Sequence, residues 1–139
     1  MTSYESKIKT IRHPQKLIFA TLSDLNNLAL VKDRIPQDKI KDMTFDTDCV
    51  NVKIDMLGDV SLSIIERDPD KTIKLTVAGA PSEAFMWIQL KEIADCDTKM
   101  KLTIKAELNG MVKMMLKGKI EKFINSFADT LAGLDYSKF

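Results

Sequence analysis

The chain has 139 residues, 45% apolar and 29% charged, and its 21 Lys and Arg against 20 Asp and Glu leave a net charge of +1. That is enough apolar chain for one domain with a real core, and a near-neutral balance disfavours nucleic acid, whose binding rests on clustered cations displacing counterions. One His and two widely separated Cys exclude most metal centres and His-based active sites, so no metal and no cofactor is expected.

No repeat, low-complexity tract or linker interrupts residues 1–139, which read as a single domain. Tyr4 to Ile11 fits a short strand, and Pro14 then starts a helix, since proline suits a first turn. Leu17, Ile18, Phe19 and Leu22 recur at helical spacing until Ser23-Asp24, and Leu25 to Val31 makes a second short helix closed by Ile35-Pro36.

From Lys39 onward the period is two. Met43 and Phe45 share one side of a strand, and Val50, Val52, Ile54 and Met56 share one side of the next. Leu57-Gly58 is a hairpin candidate, after which Val60, Leu62 and Ile64 continue the apolar face. Asp68-Pro69-Asp70-Lys71 is a turn with Pro at its second position. Ile73, Leu75 and Val77 form another strand, then Ala84 to Ile93. After a turn at Asp95 to Thr98, Met100 to Leu108 alternates most cleanly of all.

Beyond Asn109-Gly110 the period returns to 3.6. Leu116, Ile120, Phe123, Phe127, Leu131 and Leu134 make one apolar stripe on a helix from about Met111 to Leu134. The class is therefore α+β, with an antiparallel sheet whose dry face packs on the stripe of the long final helix.

His13 to Phe19, Leu22-Ser23-Asp24, Glu66 to Ile73 and the final helix resemble the START-like superfamily, which includes the birch-pollen allergen and the polyketide cyclases. The resemblance covers nearly the whole chain. It implies a helix-grip fold: a curved antiparallel sheet of about seven strands wrapped round the long C-terminal helix, with two short helices after the first strand. It also implies an apolar cavity between sheet and helix, and a partner that is a hydrophobic small molecule such as a lipid, a sterol-like compound or an aromatic. The first half of the final helix would lie near the cavity mouth. A polyketide cyclase or aromatase activity and a co-chaperone-like interaction module are the alternatives, since one fold hosts many functions.

On that reading the ligand-binding residues are Phe19, Met56, Leu62, Ile64, Leu75, Met86, Ile88, Met111, Met115 and Lys119. Thioethers are flexible and polarizable, which suits variable apolar shapes. Gly118 in the helix would permit close approach of a ligand or strand, or a bend. His13 reads as a surface residue at a strand-to-helix junction.

No G-x-S-x-G elbow or phosphate-cradling glycine loop occurs, so no catalytic residue is assigned, with Glu66 the carboxylate to watch. Counting by two from Val60 puts Glu66 on the inward face, and counting from Met86 does the same for Glu92. In an apolar cavity such a carboxylate has a raised pKa and serves as acid or base, with Tyr4 or Lys119 assisting. Solvent contact at the strand ends is the preferred reading of both glutamates.

In Ala84 to Leu90 both faces are apolar. Parity places Phe85 and Trp87 outside, as a surface for a homodimer, whereas a bulge would turn Trp87 into the cavity and a strand-end position would remove it from the surface; the cavity-side or strand-end reading is preferred. With no basic stretch followed by an apolar run in 1–7, and no window near roughly 20 apolar residues, the expectation is a cytoplasmic protein without integral membrane association.

Overall fold

The structure, a computed structural model, describes residues 2–27, 40–54, 58–79, 84–107, 110–134 and 136. The strands are β1 (Thr2–Glu5), β2 (Lys9–Ile11), β3 (Ile40–Phe45), β4 (Cys49–Ile54), β5 (Gly58–Asp68), β6 (Thr72–Ala78), β7 (Ala84–Ala94) and β8 (Asp97–Ala106). Two helices, α1 (Gln15–Leu22) and α2 (Gly110–Ala132), complete the described elements. The strands form one antiparallel sheet ordered β1-β8-β7-β6-β5-β4-β3, with β2 also paired to β8. This is the helix-grip α+β arrangement the resemblance implied. Met56, Leu57 and most of the expected second helix lie outside the described residues.

The expected first strand is two strands. Between them Ser6 turns its hydroxyl into the ladder: Leu102 N–H donates to Ser6 Oγ at 2.9 Å, while Ser6 N–H donates to Leu102 O at 2.8 Å. One side chain thus replaces a backbone acceptor, and β1 and β2 run as interrupted halves along β8.

The turns follow their residue types. Lys71 N–H closes onto Asp68 O at 3.0 Å, and Asp70 takes a positive φ of 64°, which Asp tolerates better than most residues. Gly79 has φ 87°, and a Cβ there would stand 2.1 Å from Asp59 O, so only glycine fits at this close approach to β5.

α2 runs back along β8, β1 and β2 from the Ala106 end of the sheet. Its second half is tied down by a bond from Lys7 N–H to Asn125 Oδ1 and by the Lys9–Asp129 ion pair. Among its described side chains Ile124, Ala128 and Leu131 are buried, while Ile120, Phe123 and Phe127 are half-buried beside them. The buried line is therefore rotated from the stripe read in the sequence.

Candidate functional site

The inner face of the sheet is built from rows of opposed side chains. Ile64, Leu75, Met86, Ile104 and Tyr4 face one another across β5, β6, β7, β8 and β1. Phe45, Val50, Leu62, Val77, Ala84 and Ala106 form a second row from β3 to β8, and Ile73, Ile88 and Leu102 a third. Leu75 and Met86 are 1% exposed, whereas Leu62, Ile64 and Ile104 keep 7–8%. The alternation of apolar residues produces these rows directly, because every second Cβ points to one face.

Five of the expected ligand contacts, Leu62, Ile64, Leu75, Met86 and Ile88, are thus brought together. Phe19 is half-buried on α1, against the core cluster. Lys119 is half-buried on α2. Met111 and Met115 depart from expectation: they are 75% and 60% exposed, because the first half of α2 turns them away from the buried side of the helix. A Cβ at Gly118 would meet nothing within 4 Å, so close approach by a strand is not its reason for being glycine.

At Glu66 the inward count fails, whereas the preferred reading, contact with solvent, holds. The β5–β6 register shifts between Ile64 and Glu66, leaving Ile65 as an extra, exposed residue. This bulge reverses the parity beyond it, so Glu66 sits opposite Lys74 on the outer face and is exposed. Arg67 takes the inward parity instead. Its Nη2 donates to Ser23 O at 2.8 Å, at the end of α1, and it pairs with Asp48. Glu92 ends its row exposed and is engaged with Gln15.

On the outer face the row Glu66, Lys74, Trp87, Thr103 and Glu5 crosses the sheet. Phe85 and Trp87 are half-buried there, with ring centroids 6.1 Å apart. Parity alone was right and the inward alternative for Trp87 is not what occurs. Lys74 Nζ lies 4.9 Å from the Phe85 centroid and 5.3 Å from that of Trp87, and Lys105 Nζ lies 5.5 Å from Trp87. A depression of about 260 Å³ on this face is lined by Glu66, Asp68, Thr72, Lys74, Trp87 and Gln89.

Two phenols mark the inner side. Tyr4 is buried and its hydroxyl has no hydrogen-bond partner. Tyr136 is buried too, donates to Leu131 O at 2.6 Å and takes the edge of the His13 ring at 5.6 Å. Burial pushes the Tyr136 phenol well above its ordinary pKa. His13 is therefore half-buried in a packed junction, where its carbonyl accepts from Thr98 Oγ1 at 2.8 Å. Sequence reading missed Tyr136, because one aromatic beyond a helix end carries no periodic signal.

Solved structures share this architecture. A conserved protein from Geobacillus kaustophilus superposes with a TM-score of 0.69 at 20% identity, covering 99% of this chain and 96% of that one. Norcoclaurine synthase from Thalictrum flavum, a point mutant in complex with a transition-state analogue, gives 0.76 at 10% identity over 94% and 91%. A START superfamily protein from Mycobacterium smegmatis gives 0.62 at 11% identity over 94% of each chain. No protein-family model and no curated protein matches. These likenesses establish the START-like fold.

Proposed function

We propose that the chain binds an apolar small molecule, lipid-like or aromatic, between the inner face of β5–β8 and α2, without catalysing its conversion. The observation that carries the proposal is the inner face itself: a continuous, largely aliphatic and thioether wall that is half-buried at Phe45 and Val77 and keeps slight exposure at Leu62, Ile64 and Ile104. Small-molecule sites are largely apolar and concave, with few polar groups. The fold lends further support, since norcoclaurine synthase of similar architecture has been solved with dopamine and hydroxybenzaldehyde. With Glu66 on the outer face, the cyclase-like alternative loses the carboxylate it needed.

Denaturing extraction followed by mass spectrometry, and titration with a naphthalene-sulfonate dye, test the proposal. Saturable dye binding displaced by oleate or by a hydroxylated aromatic is expected, and Ile64→Trp should weaken it several-fold while the fold persists. Absence of saturable binding to the folded chain would overturn the proposal.

A homodimer through Phe85 and Trp87 is the second reading, favoured by the half-buried adjacent rings. Lys74 and Lys105 of two copies would meet there, so association should rise with salt as their repulsion is screened. Light scattering at low and high salt, on the natural chain and on Trp87→Lys, decides it.

A further inference from the structure

Among the described residues the buried hydroxyls are bonded, with one exception. Ser6 Oγ donates to Lys7 O, Thr21 Oγ1 to Leu17 O, Thr98 Oγ1 to His13 O, Thr103 Oγ1 to Gln89 Oε1 and Tyr136 Oη to Leu131 O, all within 2.6–3.1 Å. Tyr4 is 4% exposed and its hydroxyl has no hydrogen-bond partner. Two further buried oxygens lack one, Ser23 Oγ and Asp97 Oδ1, but both belong to half-buried residues, at the end of α1 and the start of β8.

Folding gives no reason for the Tyr4 hydroxyl. Ser3 and Glu5 are exposed and Tyr4 is buried, so the alternation of β1 turns the ring onto the inner face. A phenylalanine would fill the same place without taking a hydroxyl out of water, which is costly unless a partner replaces the lost bonds. A buried polar atom left over in a native fold therefore points to a partner from outside it.

The place of the phenol defines that partner. Tyr4 pairs with Ile104 on β8, and Met86, Leu75 and Ile64 continue the row across the sheet. Ile104 and Ile64 each keep 8% exposure. The phenol thus ends an apolar row, none of whose side chains is charged, so a buried ion would find no counter-charge there. A wall of this kind with one donor at its end fits an apolar molecule bearing a neutral oxygen, since a few placed polar groups fix a ligand's orientation.

We propose that the Tyr4 hydroxyl is the polar anchor of the inner-face site and donates a hydrogen bond to a neutral carbonyl oxygen of the bound molecule, whose apolar body lies along Ile104. This anchor rests on the apolar-ligand reading above and names the class of ligand it favours: apolar ketones, aldehydes and esters.

The test compares acetylnaphthalene with ethylnaphthalene, which differ by a carbonyl in place of a methylene, through displacement of the naphthalene-sulfonate dye from the full chain. Both should bind the natural chain. Tyr4→Phe should weaken the ketone about tenfold and leave the hydrocarbon within about twofold. In the infrared, the carbonyl stretch of bound, isotope-labelled acetylnaphthalene should lie lower in the natural chain than in Tyr4→Phe, because donation to the oxygen weakens the C=O bond. Without either probe, the urea midpoint of Tyr4→Phe should equal or exceed that of the natural chain. A lower midpoint would assign the hydroxyl to a partner inside the fold and overturn the proposal. Equal weakening of both probes, or a ketone whose affinity and carbonyl stretch do not change, would overturn the anchor while leaving the inner-face site in place. No saturable binding of either probe would overturn the site and the anchor with it.

Discussion

Gln15 and Glu92 clasp each other reciprocally across 77 positions of sequence. Gln15 N–H donates to Glu92 Oε1 at 2.9 Å, and Glu92 N–H donates to Gln15 Oε1 at 2.9 Å. The amide of Gln15 also reaches the carbonyl of Asp70 in the β5–β6 turn. Pro14 offers no side-chain cap and the first turn of α1 has no acid, so Glu92 caps the helix from a distant strand. Together these bonds hold α1 against the turn end of the inner face.

Removing one side of the clasp should therefore unseat α1. Glu92→Ala is expected to cost about 1 kcal/mol, as loss of a cap does. Gln15→Ala should cost more, since it also releases Asp70 O. In a double-mutant cycle read by urea midpoints the two should couple by about 1 kcal/mol. Additive losses would show that the clasp does not act as a unit.

Tyr4→Phe should behave unlike a usual tyrosine truncation. A buried hydroxyl without a partner carries a desolvation cost of about 1–3 kcal/mol, so deleting it should leave stability unchanged or raise it. The urea midpoint should hold or rise at constant m-value. A marked drop would mean that the hydroxyl is bonded in solution.

Tyr136 makes stability fall in alkali. Its folded pKa lies above the ordinary phenol value of 10.0, so the native state holds the proton more tightly than the unfolded chain does. The contribution is fully present below pH 10 and is lost as pH rises from there toward the folded pKa, at up to about 1.4 kcal/mol per pH unit. Tyr136→Phe should flatten that part of the curve relative to the natural chain, while costing about 1 kcal/mol at neutral pH through the lost bond to Leu131 O. Parallel alkaline profiles for the two chains would contradict this.

Gly118→Ala should stabilise the protein by about 1 kcal/mol. The position is exposed in the interior of α2, and the added Cβ meets nothing within 4 Å. Thermal unfolding should show a rise of about 3 °C. A loss would mean that the first half of α2 bends at this glycine.

Much of the fold is legible in the residues. Val60, Leu62 and Ile64, then Ile73 and Leu75, then Met86 and Ile88, name their own face, because the strand period of two is local geometry. Glu66 shows the limit of that counting. Nothing in Ile64-Ile65-Glu66 announces a bulge, since two adjacent apolar residues suit either register until β6 supplies the partner. Ile124 and Ala128 show the same limit on a helix. A 3.6 period reveals that α2 has an apolar side, but its exact rotation depends on how closely β8 and β1 approach.

The sequence alone determined the order of the strands from Ile40 to Ala106 and of the long helix after them, the dry face of the sheet and the position of α1 after Pro14, all set by short-range periodicity and turn chemistry. Only the tertiary structure decided that Glu66 leaves the inner face, that Glu92 caps α1, that Tyr136 is buried against His13 and that the methionines opening α2 meet solvent. Each of these depends on residues far apart in the chain, and a side chain's burial or partner is a property of the surfaces that meet, which no local pattern encodes.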